Sequence, residues 1–197
     1  MNDALRLQAQ AARRELTAGR LRGAALYDRL LAVPAAEREA FADELLGLPE
    51  PPPDIADLPC GAVPYLPAGV DEILHMVREA PLRESDQLLD LGSGLGRVVI
   101  LAHLLSGAHA CGIELQEPLV RCAKDCAAEL ALTQVAFIHG NAAEAALDGS
   151  VFFLYSPFGG ETLTRVVRRL EAVARRRPIT VCAVGLELPG EPWLQRR

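Results

Sequence analysis

The chain has 197 residues, half of them hydrophobic, and a formal net charge of -6 from 20 basic and 26 acidic side chains. That is enough for one packed core with an appendage, and too negative for a protein whose main task is to grip a phosphate backbone. No stretch approaches the roughly 18 uncharged apolar residues of a membrane span. The first ten residues, with Asp3 and Arg6 among scattered leucines, lack a secretory pattern, so the reading is a soluble, cytoplasmic protein. Five cysteines, at 60, 111, 122, 126 and 182, are odd in number and have no Cys-x-x-Cys spacing. They argue against a disulfide framework and a zinc ribbon. Cys122 and Cys126, four apart on one helix face, read as small apolar packing in preference to half a metal site.

Residues 3 to 46 are rich in Ala, Leu, Arg and Glu with helical apolar periodicity, interrupted at Gly19, Gly23 and Pro34. This predicts two or three helices. Leu26, Leu30, Leu31 and Val33 form one candidate buried stripe, and Phe41, Leu45 and Leu46 another. From Leu48 to Pro67, prolines at 49, 51, 52, 53, 59, 64 and 67 exclude both regular helix and central strand. That segment reads as a linker or strap, so residues 1–60 form an extension and residues 61–197 the main domain.

Beyond it the pattern alternates as in an α/β protein with a parallel sheet. Strands are expected over Gln87–Leu91, Ala108–Ile113, Gln134–Ile138, Val151–Tyr155 and Ile179–Leu186. Helices are expected over Gly69–Glu79, Arg97–Leu105, Pro118–Leu130 and Gly160–Arg176. The arginines at 165, 168, 169, 175, 176 and 177 read as a solvated helix face with a favourable cationic end, in preference to a nucleic-acid patch.

The segment from Leu88 to Val99, LLDLGSGLGRVV, places a glycine-rich turn between an apolar strand and a helix. Glycine suits a tight strand-to-helix turn and lets a ligand lie against the backbone, and the free N–H groups of a helix start can receive an anion. The spacing is Asp-x-Gly-x-Gly-x-Gly. The dinucleotide fingerprint wants its third glycine one position later, where this chain has Arg97, so a ligand carrying an ammonium is favoured over a pyrophosphate. The next strand ends at Glu114, about 20 positions beyond the loop, where a carboxylate can accept from both hydroxyls of a ribose. Asp90 and Glu114 therefore bracket a nucleoside.

These features resemble the class I S-adenosylmethionine-dependent methyltransferases, over roughly Tyr65 to Leu186. The resemblance implies a Rossmann-like, doubly wound sheet of order 3-2-1-4-5, with S-adenosylmethionine as cofactor. It implies that Asp90, Gly92, Ser93, Gly94 and Gly96 hold the methionine portion and Glu114 the ribose. Leu115 and Gln116 fall where the adenine edge is flanked. Asn141 and Ala142 lie in a turn similar to the family's Gly-Asp-Ala turn, with Asn in place of Asp; an amide oxygen can still accept from an amino group. Tyr65, in Tyr-Leu-Pro-Ala-Gly-Val-Asp, resembles the lead-in of a subset that includes protein-lysine methyltransferases. It either closes over the cofactor or is an ordinary half-buried tyrosine. The glycine loop is also similar to that of the Dot1 type.

The fourth strand runs into Tyr155-Ser156-Pro157-Phe158, at the strand ends where ligands gather in such sheets. It partly resembles the Asp/Asn/Ser-Pro-Pro-aromatic loop of enzymes that methylate nitrogen, without the second proline. Tyr155 and Ser156 are candidates to position a nucleophile and Phe158 to wall the site. The four histidines, at 75, 103, 109 and 139, read as packed or surface residues. After Leu186 only residues 187–197 remain, with Pro189 and Pro192, too short for the two further strands of the family. A five-stranded sheet is expected, with its free edge covered in a homodimer.

The leading expectation is thus a methyltransferase acting on a protein side chain or small molecule, with nucleic acid disfavoured. Its rivals are a non-catalytic S-adenosylmethionine- or nucleoside-binding module and, behind that, an NAD-dependent oxidoreductase.

Overall fold

A computed structural model describes residues 1–59, 61–80, 82–188 and 190–195; Cys60 and Pro189 of the sequence reading lie outside them. The amino-terminal part folds into α1 (Asp3–Thr17), α2 (Gly23–Leu31) and α3 (Ala35–Leu46). Asn2 caps α1, its side chain accepting from Leu5 N at 2.9 Å. Pro34 stands immediately before α3, and Gly47, left-handed at φ +72°, ends it. Leu26, Leu30 and Val33 are buried as expected, but Leu31 is 47% exposed. Its neighbour Leu30 already faces the core, and consecutive helical residues point about 100° apart.

The remainder alternates α4 (Val70–Glu79), β1 (Gln87–Leu91), α5 (Arg97–Ser106), β2 (His109–Glu114), α6 (Glu117–Glu129), β3 (Val135–His139), β4 (Val151–Tyr155), α7 (Gly160–Ala174) and β5 (Thr180–Val184). The sheet order is β3-β2-β1-β4-β5, and every pairing is parallel. β5 is shorter than the apolar run from Ile179 to Leu186. Its one partner is β4, and the ladder ends where β4 does, at Tyr155 opposite Val184.

Both faces of the sheet are covered, as parallel strands require. Leu88 of β1 joins a cluster with α5 and with Leu16, Leu26, Phe41 and Leu45 of the first three helices. Leu89 and Leu91 point the other way, onto Val166, Leu170 and Val173 of α7. The strand period of two sorts these leucines between the layers.

One buried charge ties the two parts together. Arg97, 7% exposed at the start of α5, sends Nη1 to Glu39 Oε2 at 2.6 Å and to Ala68 O at 2.8 Å. It sends Nη2 to both oxygens of Asp43, at 2.7 and 2.8 Å. A cation at a helix amino terminus opposes the helix dipole, and the two carboxylates of α3 offset that. Glu39 also accepts from Val70 N at 2.6 Å, which fixes the start of α4.

Candidate functional site

β1 and β2 lie side by side, with Asp90 opposite Gly112. The first turn beyond β1 is pinned to the neighbouring strand, since Gly92 N and Ser93 N both donate to Ile113 O, at 2.9 and 3.1 Å. Gly92 and Gly94 have φ of +107° and +52°, and a Cβ on them would meet Pro157 and the Tyr65 ring respectively. Both positions therefore need glycine for conformation and for space.

Glu114, 8% exposed at the tip of β2, accepts Gly94 N on Oε2 and Gln116 N on Oε1, both at 2.8 Å. Its carboxylate is thus held by two backbone donors that stitch the glycine loop to β2. Each oxygen keeps a further lone pair for an outside hydroxyl. Asp90 is 2% exposed, and burial, with the charge of Glu114 behind it, pushes its carboxyl pKa well above the usual range. Ser93 is 7% exposed, and its Oγ has no hydrogen-bond partner among the described residues. A Cβ at Gly112 would collide with that serine, so glycine there makes room for it. A buried hydroxyl with no partner is costly in a finished core and is satisfied when a polar ligand fills the adjoining space.

Two hollows open onto this loop. The larger is lined by Glu114, Leu115, Gln116, Asn141 and Ala142 and by Tyr155, Ser156, Pro157 and Phe158. The smaller is lined by Asp90, Ser93, Arg97, Phe153 and Tyr155. Gly92 and Tyr65 line both, the ring lying against Gly94. Burial pushes the Tyr65 hydroxyl up to about 12, so it stays a neutral phenol at physiological pH.

The proline-rich strap walls the larger hollow with Leu58, Pro59, Ala62, Val63 and Pro64. Its Ala62 bridges antiparallel to Phe158, Val63 N donates to Pro157 O at 3.3 Å, and Gly159 N donates to Gly61 O at 3.0 Å. At the other end, Gln116 is 3% exposed with its amide engaged on the strap, accepting Ile55 N at 2.9 Å and donating to Asp54 Oδ1 at 2.6 Å. Asp54 in turn accepts Tyr65 N at 3.0 Å. The sequence reading did not find Asp54; a contact between positions 54 and 116 carries no local signal.

At the far end of the sheet Asn141 Oδ1 accepts from Ala143 N at 2.9 Å, closing its own turn. Ser156 has φ +43°, which is uncommon outside glycine, and its hydroxyl donates to the carbonyl of Gly185 beyond β5. Tyr155 is half-buried and Phe158 buried. None of the four histidines lines either hollow. No group of three or more metal-ligating side chains occurs among the described residues.

A five-stranded parallel sheet of this order, with a glycine cradle between two strand-end acids, is the Rossmann-like fold of the class I S-adenosylmethionine-dependent methyltransferases. Residues 68–145 match the model of the family described as histone methylation protein DOT1.

Solved structures overlap it in part. The RNA methyltransferase from Salinibacter ruber, in complex with S-adenosyl-L-homocysteine, is 30% identical at a TM-score of 0.48, covering 57% of this chain and 71% of that one. A methyltransferase from Thiobacillus denitrificans with the same ligand is 27% identical at 0.43, over 50% and 43%. Another, from Geobacter sulfurreducens, is 24% identical at 0.44, over 50% and 43%. The chain therefore spans less than half the length of the last two. Comparison with curated protein sequences gives no match.

Proposed function

We propose that the chain transfers the methyl group of S-adenosylmethionine to a protein side chain or a small molecule. The observation that carries this reading is the pair Asp90 and Glu114 flanking a cradle in which Ser93 Oγ lacks a protein partner. In it Asp90, Ser93 and the glycines at 92, 94 and 96 take the methionine portion and Glu114 the ribose. Leu115, Gln116, Asn141 and Ala142 flank the adenine, and Tyr65 covers the join between the two hollows.

When bound, the cofactor supplies a methyl group on a good leaving group, and the protein's task is alignment and exclusion of water. The strap and Phe158 wall the larger hollow. The Ser156 hydroxyl donates its hydrogen bond to the Gly185 carbonyl, which leaves its oxygen able to accept an N–H or O–H of the incoming nucleophile. Tyr155 lies beside it.

No lysine lines either hollow, and the arginine that does, Arg97, is already paired with Glu39 and Asp43. Among the described residues a phosphate-rich acceptor would meet no free cation there, which favours the protein or small-molecule acceptor over nucleic acid. No helix of the described residues is long and apolar enough to cross a membrane; the reading places the protein in the cytoplasm.

Calorimetric titration with S-adenosylhomocysteine and then with NAD tests the cofactor. Binding of the first alone is expected, and binding of NAD alone would overturn the reading. Methyl transfer from labelled cofactor into a cell extract separates an enzyme from a non-catalytic binding module. The reading includes a homodimer across the free edge of β5, so sedimentation should give twice the chain mass of 21.2 kDa; a monomer at micromolar concentration would remove that part.

A further inference from the structure

The arginines of α7 read from sequence as a solvated basic face, yet several of them are engaged. Arg169 Nη1 donates to Ala142 O at 3.0 Å, and its Nη2 donates to Ala145 O. Arg165 pairs with Glu144 at 3.6 Å. Arg177, just past the helix, donates to Asp148 Oδ1 at 2.7 Å and to Gly149 O at 3.1 Å. All these partners lie between β3 and β4, where the chain crosses back under the sheet without a helix.

A crossing without a helix has no ladder of its own for its carbonyls, and they need outside donors. The Asn141 turn meets part of this demand internally, since Asn141 O accepts Glu144 N and Ala145 N, both at 2.9 Å. The outward carbonyls of Ala142 and Ala145 are met by the two ends of one guanidinium. Its planar fork fixes two acceptors at once, which an ammonium cannot do.

We infer that Arg169 is a positioning residue for the adenine end of the cofactor site. Arg169 does not itself line the hollow; by holding the carbonyls of Ala142 and Ala145 it fixes the turn whose Asn141 and Ala142 do, at the place and tilt at which a purine edge is read. The inference rests on the cofactor reading above and adds to it a residue on the far side of the turn. α7 packs its apolar face against the same segment, with Val166 and Leu170 clustered with Ala142, Ala143 and Leu147. Loss of the guanidinium therefore loosens the turn without emptying the core.

The test compares wild type, Arg169→Ala, Arg169→Lys and, as control, Arg168→Ala, an exposed neighbour on the same helix. Each is titrated with S-adenosylhomocysteine and with S-inosylhomocysteine, which differs only at the purine edge, and its thermal midpoint is recorded. Removing a charged donor from two carbonyls is expected to weaken S-adenosylhomocysteine about tenfold or more. It is also expected to shrink the preference for adenine over hypoxanthine, with an intermediate value for lysine and none of this in Arg168→Ala. A purely structural role lowers the midpoint and leaves the preference intact, which would overturn the inference, as would unchanged affinity in folded Arg169→Ala. If Arg169→Ala does not fold, Arg169→Lys decides alone by the same preference ratio. Failure of wild type to bind S-adenosylhomocysteine at all is a different result, one that removes the cofactor reading together with this inference.

Discussion

Replacing Glu114 by glutamine is expected to weaken S-adenosylhomocysteine binding by about a hundredfold or more, although the change is nearly isosteric. Glu114 accepts one backbone N–H on each oxygen, from Gly94 and from Gln116, in a buried setting. An amide has one oxygen and one NH2, so either orientation sets a donor against a donor. One backbone N–H then loses its partner, at a cost of about 1–3 kcal/mol. One of the two ties that Glu114 makes to Gly94 and Gln116 is lost while Ile113 O still holds the turn, and the acceptor for one ribose hydroxyl is lost with it. Calorimetry should show the affinity loss and urea denaturation a lowered midpoint with unchanged slope. Near-wild-type affinity in folded Glu114→Gln would mean that this carboxylate does not hold the ribose.

Asp90→Asn is expected to act in opposite directions on stability and on binding. The folded chain holds the Asp90 carboxyl well above its ordinary pKa, through burial first and the neighbouring charge of Glu114 second. A group raised in this way contributes stability that is fully present below its unfolded pKa of about 3.9 and is lost as pH rises through the folded value. At neutral and alkaline pH wild type therefore carries a penalty that asparagine, being neutral, avoids. The ligand-free variant should melt higher than wild type there, and the gap should close as pH falls toward 4.

Binding should move the other way. The ammonium of the cofactor favours the ionised carboxylate, so wild-type affinity should rise with pH up to the raised pKa and proton release should accompany binding. The variant should bind weakly at every pH and release no proton at this site. Calorimetry in two buffers of different ionisation enthalpy reads that proton directly. Equal stability of the two proteins from pH 4 to 9 would remove the premise that Asp90 is held at the expense of folding.

Because Asp90 and Glu114 interact, the two substitutions should not be additive. Removing the charge of Glu114 lowers the pKa of Asp90 and so reduces the stabilisation that Asp90→Asn can give.

Much of this was legible in order along the chain. The alternation of apolar runs with helix-length segments, with the glycine-rich turn after Leu91, defined five strands and four helices within a few residues of where they lie. Asp90, the glycine turn and Glu114 were also marked, because a side-chain-poor turn between two strand-end acids is a pattern of residue type and spacing along the chain. Leu31 escaped because periodicity marks a stripe and not its edges. In the basic stretch Arg165, Arg168, Arg175, Arg176 and Arg177 are exposed, as read, and Arg169 departs from that face: its charge is visible in the sequence, and the two carbonyls it serves, 24 and 27 residues away, are not.

By itself, then, the sequence determined the elements, their order and the existence of a side-chain-free turn between two acids, since those follow from short-range sterics and the periods of helix and strand. Only the tertiary structure decided that Gln116 spends its amide on the strap through Asp54, that Arg97 fastens α3 to α5, and that Gly112 is empty for the sake of Ser93. Each of these joins residues about 20 to 60 positions apart. Such contacts form when packing brings two surfaces together, and neither partner's neighbourhood along the chain records the other.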